Sequence, residues 1–302
     1  MESSKLRYDL ILLLAAVIWG FAFVAQRVGM DYIGPFTYTA VRFTLGTIVL
    51  IPFLLFRKHE AFKGVFLPRS GRVKIIALQL LLGMILFGGI SFQQYGLQFT
   101  TAGNAGFITG LYVVLVPVAG LFFGQKNKLT IWIGMALTII GLYFLSVGEN
   151  TTVNRGDYFV AVCALFWTVH VLVVGYLAPK TDPIRTAFIQ FLICSVLSWI
   201  VAFGWENVQY AAILNAYIPV LYGGIMSVGI AYTLQIVAQQ HAHPAYASII
   251  LSLEALFAVI GGWLLLSEPV TLRIILGCCL MLAGMVVVHI QADGRTGGQV
   301  DK

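Results

Sequence analysis

Charge is what this chain has least of. Only 10% of its 302 residues are Asp, Glu, Lys or Arg, against 60% hydrophobic, whereas a soluble domain carries about 25% charge. That deficit excludes an ordinary water-soluble surface. Cysteine is scarce as well: Cys163, Cys194, Cys278 and Cys279 all fall inside apolar runs. They form neither a disulfide framework nor a zinc-ligand spacing, and they read as small buried residues. There is no Gly-x-Ser-x-Gly, no His-Glu-x-x-His and no carboxylate pair in adjacent apolar runs. Nucleophilic, metal-assisted and paired-acid catalysis therefore lack their residues. No cofactor motif is present, and the chain reads as a non-enzyme. The first apolar run, from about Asp9, lacks a small-residue cleavage site and is expected to be a retained helix.

What is abundant is long apolar runs. A helix needs ~20 mostly apolar residues to cross a bilayer. Ten segments qualify: 9–29, 35–56, 74–98, 102–123, 129–147, 157–177, 183–204, 217–239, 244–266 and 272–291. Pro35, Pro183 and Pro244 stand at helix starts, where a missing N–H costs nothing. Residues 205–216 are expected to lie along the membrane surface. With the N-terminus inside, fourteen of the eighteen basic residues fall in the inner segments. Lys5, Arg57, Lys126, Lys180 and Arg295 are among them, whereas Arg27, Arg155 and Arg273 mark the outer ends. This bias puts both termini in the cytoplasm and argues against a nucleic-acid footprint for the net charge of +6. Asn150-Thr-Thr matches a glycosylation sequon on the outer side.

The two halves of the chain repeat each other. Trp19 matches Trp167, Pro35 matches Pro183 and Arg42 matches Gln190 at a spacing of 148. Gly83 matches Gly224 and Gln94 matches Gln235 at 141, and Gly134 matches Gly277 and Gly141 matches Gly284 at 143. The spacing drifts only where loops absorb it, which favours duplication. Units of 1–148 and 149–302 hold five spans each, so the second must enter the membrane upside down. The expected fold is an all-α membrane protein of ten transmembrane helices, built as two inverted five-helix repeats around a central cavity. Inverted repeats of this kind are a mark of secondary transporters, with a site near the midplane.

Polar groups at membrane depth select the candidate site. Glu254 sits near the middle of the ninth span. A buried carboxylate there must face protein or water, and small residues on two sides of the span make it a central helix. Tyr112 takes the equivalent place in the fourth span, at a spacing of 142, and Pro117 is expected to bend that span. Gln94 lies on a polar stripe with Ser91 and Gln98, and Tyr232, Gln235 and Gln239 repeat it. Arg42, with Tyr38 one turn before it, either snorkels to the outer interface, binds an anionic group over the cavity, or pairs with Glu254. Trp19 and Trp167 either wall a cavity or pack in the core. Asn104 reads as a helix cap. Together with Gln190 and Tyr246, these residues are the expected substrate contacts. Glu254, and more weakly His170, are the candidates for proton coupling.

The segments IWGFAFVAQR, PFTYTAVRF, GNAGFITGLYVVLVPV and YASIILSLEALFAVIGGWLLLSEPV resemble the ten-helix, EamA-type branch of the drug/metabolite transporter superfamily. The resemblance covers nearly the whole chain. It implies a central cavity and movement of small metabolites, often export of amino acids or related solutes. The resemblance implies a kink in the ninth span, where family members often have proline after the glutamate, and this chain departs from that pattern with Ala255. The expected activity is secondary transport, as an exporter, of a small polar or zwitterionic metabolite in a bacterial plasma (inner) membrane. Partners are the small-molecule substrate, membrane lipid and protons as a coupling ion, with no nucleic acid. The residues leave monomer and homodimer open. They also leave open a multidrug, hydrophobic-cation or lipid transporter, or a passive channel.

Overall fold

The computed structural model describes residues 2–56, 69–146 and 154–293. Arg57, Lys58, Lys63, Arg295, Lys302 and the Asn150 sequon lie outside the described residues. Among the described residues the chain is helical throughout, with no strand. The helices are α1 (Glu2–Gly29), α2 (Pro35–Phe56), α3 (Arg69–Gly96), α4 (Ala102–Phe122), α5 (Leu129–Ser146), α6 (Arg155–Leu177), α7 (Pro183–Trp205), α8 (Tyr217–Gln239), α9 (Pro244–Leu266) and α10 (Leu272–Asp293). Nine are long and apolar enough to cross a membrane, and the apolar stretch of α5, Leu129–Leu145, is shorter. Large apolar side chains such as Phe53, Leu80, Phe122, Ile200 and Phe203 point outward. A surface that apolar suits hydrocarbon and not water. The protein is an integral membrane protein.

Sequence chemistry explains the helix starts. Pro35, Pro183 and Pro244 each begin a helix, because proline's fixed φ is already helical and its absent donor has no partner to lose there. Asp182 caps α7 by accepting from the Arg185 amide at 2.8 Å. Asn154 and Asp157 form a capping box at the start of α6. Glu206, just past α7, accepts from the Phe36 and Thr37 amides at 2.8 Å each and so caps α2 from outside it. Between α7 and α8 a short exposed helix, Tyr210–Asn215, occupies the stretch expected at the membrane surface.

Glycine decides which helices touch. On α5 and α10 the contacts are reciprocal. A methyl at Gly141 would meet the Gly277 carbonyl at 2.6 Å, and one at Gly284 would meet the Gly134 carbonyl at 2.7 Å. Backbones this close gain dispersion contacts along the whole crossing, which is how helices associate in lipid. The same device places α9 at the centre. Its Ala258 backbone would lie 2.8 Å from a methyl on Gly20 of α1, while Ala255 and Ala258 face Gly106 of α4 at 3.5–3.6 Å.

Two helices are interrupted in mid-membrane. Helix α4 runs Ala102–Gly110, is interrupted at Leu111, and resumes as Tyr112–Phe122. Helix α9 runs Pro244–Leu251, is interrupted at Ser252 and Leu253, and resumes at Glu254. Both interruptions are tightened turns with i→i+3 bonds, Leu111 N–H to Ile108 O and Ala255 N–H to Ser252 O, each 3.2 Å. Neither sits at a proline. In α4 the change comes six residues before Pro117, and in α9 it occurs with no proline inside the helix. The Ser252 hydroxyl donates to the Ile249 carbonyl at 2.8 Å, a back-bond that loosens the regular ladder. Helix α8 departs from regularity differently: Tyr222–Tyr232 is a wide, π-helical segment.

Candidate functional site

The central cavity lies where these irregular segments meet. It is lined by Trp19, Ala22, Phe23 and Gln26 of α1, Arg42 of α2, Ile90 and Gln93 of α3, and Tyr112 of α4. Trp167 and Val171 of α6, Ser227, Tyr232 and Gln235 of α8, and Leu251 and Glu254 of α9 complete it. The cavity measures about 30 Å3. At roughly 10–15 Å3 per water it holds about two water molecules and no larger solute. A metabolite therefore enters only if helices move.

The acid and its surroundings are set by the helix interruptions. Glu254 is the first residue of the second half of α9, and Tyr112 is the first of the second half of α4. Both side chains line the cavity. Starting a half-helix gives Glu254 the positive end of a backbone dipole in a place where water is scarce. Tyr112 and Glu254 are both almost wholly buried.

Arg42 supplies the opposite charge. It is 1% exposed, which settles that it does not reach the outer interface by snorkelling. Its Nη2 donates to Gln26 Oε1 at 3.3 Å, and the guanidinium carbon lies 5.4 Å and 5.3 Å from the ring centroids of Tyr38 and Phe43. Its Nε has no partner. Among the described residues no carboxylate lies within ion-pairing distance of Arg42. Glu254 and Arg42 thus line one cavity without neutralising each other. A buried cation with an unused donor is costly unless something arrives to accept from it.

Aromatic rings form the wall between them. Tyr232 is the hub: its centroid is 4.6 Å from Trp19, 5.9 Å from Trp167, 5.9 Å from Phe191 and 6.1 Å from Phe43. Trp19 donates from Nε1 to the Ser227 carbonyl at 3.3 Å, inside the π-helical segment of α8. The Trp167 indole N–H and Gln235 Oε1 are buried without partners. The cavity therefore offers spare donors on Arg42 and Trp167 and a spare acceptor on Gln235, with the Glu254 carboxyl lining the same space. Among the described residues no group of three metal-binding side chains occurs.

A model of the EamA-like transporter family matches the chain twice, over residues 6–147 and 154–290. The chain belongs to the EamA-like transporter family. It is 30% identical to an uncharacterized transporter of Archaeoglobus fulgidus, over 95% of this chain and 87% of that protein. It is 24% identical to the uncharacterized transporter YoaV of Bacillus subtilis, over 89% of this chain and 92% of YoaV. A solved crystal structure with 19% identity superposes at a TM-score of 0.77, covering 95% of this chain and 97% of the other, and shares the fold.

Within this EamA protein, Trp19, Arg42, Tyr112, Trp167, Tyr232, Gln235 and Glu254 converge on the cavity. The structure places four other expected contacts elsewhere. Tyr38 is fully buried beneath Arg42, and its hydroxyl donates to the Pro219 carbonyl at 2.9 Å. Gln94 points at α1, donating to the Gln26 carbonyl at 3.5 Å. Gln190 bonds the His170 ring at 3.0 Å, behind the Trp167 wall. Tyr246 lies at the N-terminal face, bonded to Asp9 at 2.7 Å. Of the two proton-coupling candidates, Glu254 lines the cavity and His170 does not. Asn104 does not cap α4. Thr101 accepts from the Asn104 amide at 3.1 Å, and the Asn104 side chain reaches Asp157 at 2.6 Å. Gln26, Gln93 and Ser227 are cavity residues that pattern did not single out. Gln26 is the sole amide of α1, at the end of an apolar run that begins at Leu10, and that signal was there to read.

Proposed function

We propose that this protein is a secondary transporter, an exporter, of a small zwitterionic metabolite such as an amino acid. It works by alternating access between inverted halves, 1–148 and 149–302, with both termini on the cytoplasmic side of a bacterial plasma membrane. The observation that carries the reading is the separation of charge in one cavity: Arg42 with its free Nε, and Glu254 at a half-helix start, unpaired with each other. A carboxylate suits the first and an ammonium the second. Interrupted helices flanking such a site are a recurrent transporter feature. Helix pairings that recur in mirrored order support the inverted repeat: α1 on α9 against α6 on α4, and α2 on α8 against α7 on α3.

The test is counterflow in proteoliposomes. Labelled zwitterionic amino acids should enter saturably, and faster when unlabelled solute is inside. A passive channel shows no exchange acceleration. Reconstituted, folded protein that moves no zwitterion under any gradient would sink the proposal. The aromatic wall around Tyr232, with Glu254 beside it, favours a hydrophobic cation as the second reading. Arg42 separates the two: Arg42→Gln should impair a zwitterion and improve a lone cation.

A further inference from the structure

A second polar cluster lies away from the cavity, at the N-terminal face of the bundle. One oxygen of Asp9, on α1, is 2.7 Å from the Tyr246 hydroxyl of α9 and 2.7 Å from His289 Nδ1 of α10. The tyrosine hydroxyl and the same ring nitrogen are 3.4 Å apart. Beside them Tyr8 of α1 stacks on His241, in the turn between α8 and α9, with centroids 4.2 Å apart and planes 10° from parallel. These contacts bind α1 to the start of α9, the end of α10 and the α8–α9 turn. None of these side chains lines the cavity. At the opposite face the polar ties join other helices: Glu206 joins α7 to α2, and Asp157 joins α6 to Thr100 and Asn104.

Helix α9 has the parts of a lever. Its first segment, Pro244–Leu251, carries Tyr246. The tightened turn at Ser252 and Leu253 follows. The second segment is held against α1 through Ala258 on Gly20. A mid-helix tightened turn is a common hinge, and Glu254 is the first residue beyond it.

We propose that Asp9, Tyr246 and His289 form a proton-responsive latch that closes the cytoplasmic mouth, with Pro244–Leu251 as the element it releases. The placement at the cytoplasmic side rests on the orientation proposed above. The pairing is tightest when Asp9 is ionised and His289 carries its proton, because both donors then meet a carboxylate. A protonated His289 makes a charge-assisted bond to Asp9 and a neutral one does not, so the latch holds more tightly when the histidine carries its proton. Among the described residues, the other titratable groups in this region are Tyr8, His241 and His243, with Arg7 exposed on α1. The latch therefore couples opening to cytoplasmic pH by a group remote from Glu254.

A reporter cysteine at Leu251, with the four native cysteines replaced by serine, tests this in membrane vesicles. The probe is a membrane-impermeant maleimide, and each rate is divided by that of the same protein unfolded in SDS. From the cytoplasmic face, labelling should be faster at pH 8 than at pH 6. His289→Gln should raise it about tenfold at pH 6 and remove the pH dependence, as loss of a charge-assisted bond requires. Tyr246→Phe, which removes one hydroxyl and keeps the ring, should also raise it about tenfold, because that hydroxyl donates to the Asp9 carboxylate. If Asp9→Asn fails to fold, these two variants decide. Equal labelling in wild type, His289→Gln and Tyr246→Phe, or labelling unaffected by pH, overturns the latch. Faster labelling from the opposite face overturns its placement. No solute is needed, so the result is independent of whether a zwitterion is carried.

Discussion

Tyr112 and Glu254 occupy the same place in two helices that are interrupted in the same way, yet one is a phenol and the other an acid. The interruptions at Leu111 and Leu253 are 142 residues apart, matching the spacing of the two side chains. The backbone device is common to both halves, and the chemistry is not. A second contrast runs the same way. Arg42 with Gln26 joins α1 to α2 inside the cavity, and His170 with Gln190 joins α6 to α7 outside it. A site meant for one asymmetric solute needs unlike charges at related positions, and a strict repeat would place like charges facing each other. In the transporter proposed above, duplication would supply the frame, and divergence at a few polar positions the direction of binding.

The strongest way to break this comparison is to remove the charge that sets the two interruptions apart. Glu254→Gln keeps the shape and removes the charge, so transport should fall by about a hundredfold, the equivalent of one or two charge-assisted hydrogen bonds. Thermal stability should hold, and wild-type flux in the variant would remove Glu254 from the mechanism. A control away from the asymmetry is Gly141→Val at the α5–α10 crossing. Its Cβ would meet the Gly277 carbonyl at 2.6 Å. The expected cost is about 1–3 kcal/mol of overpacking, read as a lower melting temperature, with solute binding in the surviving folded protein unchanged.

The polar pairs give a finer test. Arg42→Gln should weaken zwitterion binding about tenfold, the loss of one charged contact, whereas His170→Asn should change it by less than about twofold, since His170 meets no ligand. Equal effects in a binding titration would dissolve the proposed contrast. The smallest expected effect is at Glu268, beyond the end of α9. Burial holds its carboxyl above the usual carboxylate range. The folded state then binds the proton more tightly than the unfolded state. Stability falls as pH rises from the ordinary value of 4.5 through the raised one, and the penalty persists at neutral pH. Glu268→Gln should raise the melting temperature slightly at pH 7 and leave it unchanged below pH 4, the group being half-exposed and screened.

Much of this was legible in the residues. Helix number and the proline starts follow from apolar run length and from proline's own geometry. Glu254, Arg42 and the two tryptophans were conspicuous because polar or bulky groups at membrane depth need a reason. The rotation of each helix was not legible. Helix α3 carries Gln93 and Gln94 side by side, and the stripe through Ser91, Gln94 and Gln98 pointed to the wrong neighbour for cavity lining. Gln93 donates to Thr109 at 3.2 Å and lines the cavity, while Gln94 turns to α1. In a helix that is apolar all round, periodicity carries little information about which face is inward.

By itself, then, the sequence determined a helical membrane protein of the EamA family, with repeated halves and an acid in a central span, because length, hydropathy and spacing are local properties of the chain. Only the tertiary structure decided that α9 is interrupted without a proline, that α8 widens at Tyr222–Tyr232, that Arg42 and Glu254 share a cavity unpaired, and that Asp9, Tyr246 and His289 meet. Those outcomes depend on how the backbones of α1, α4, α8, α9 and α10 approach one another. Residues 237 and 280 positions apart in the chain came to share one carboxylate oxygen, and no local pattern encodes such a meeting.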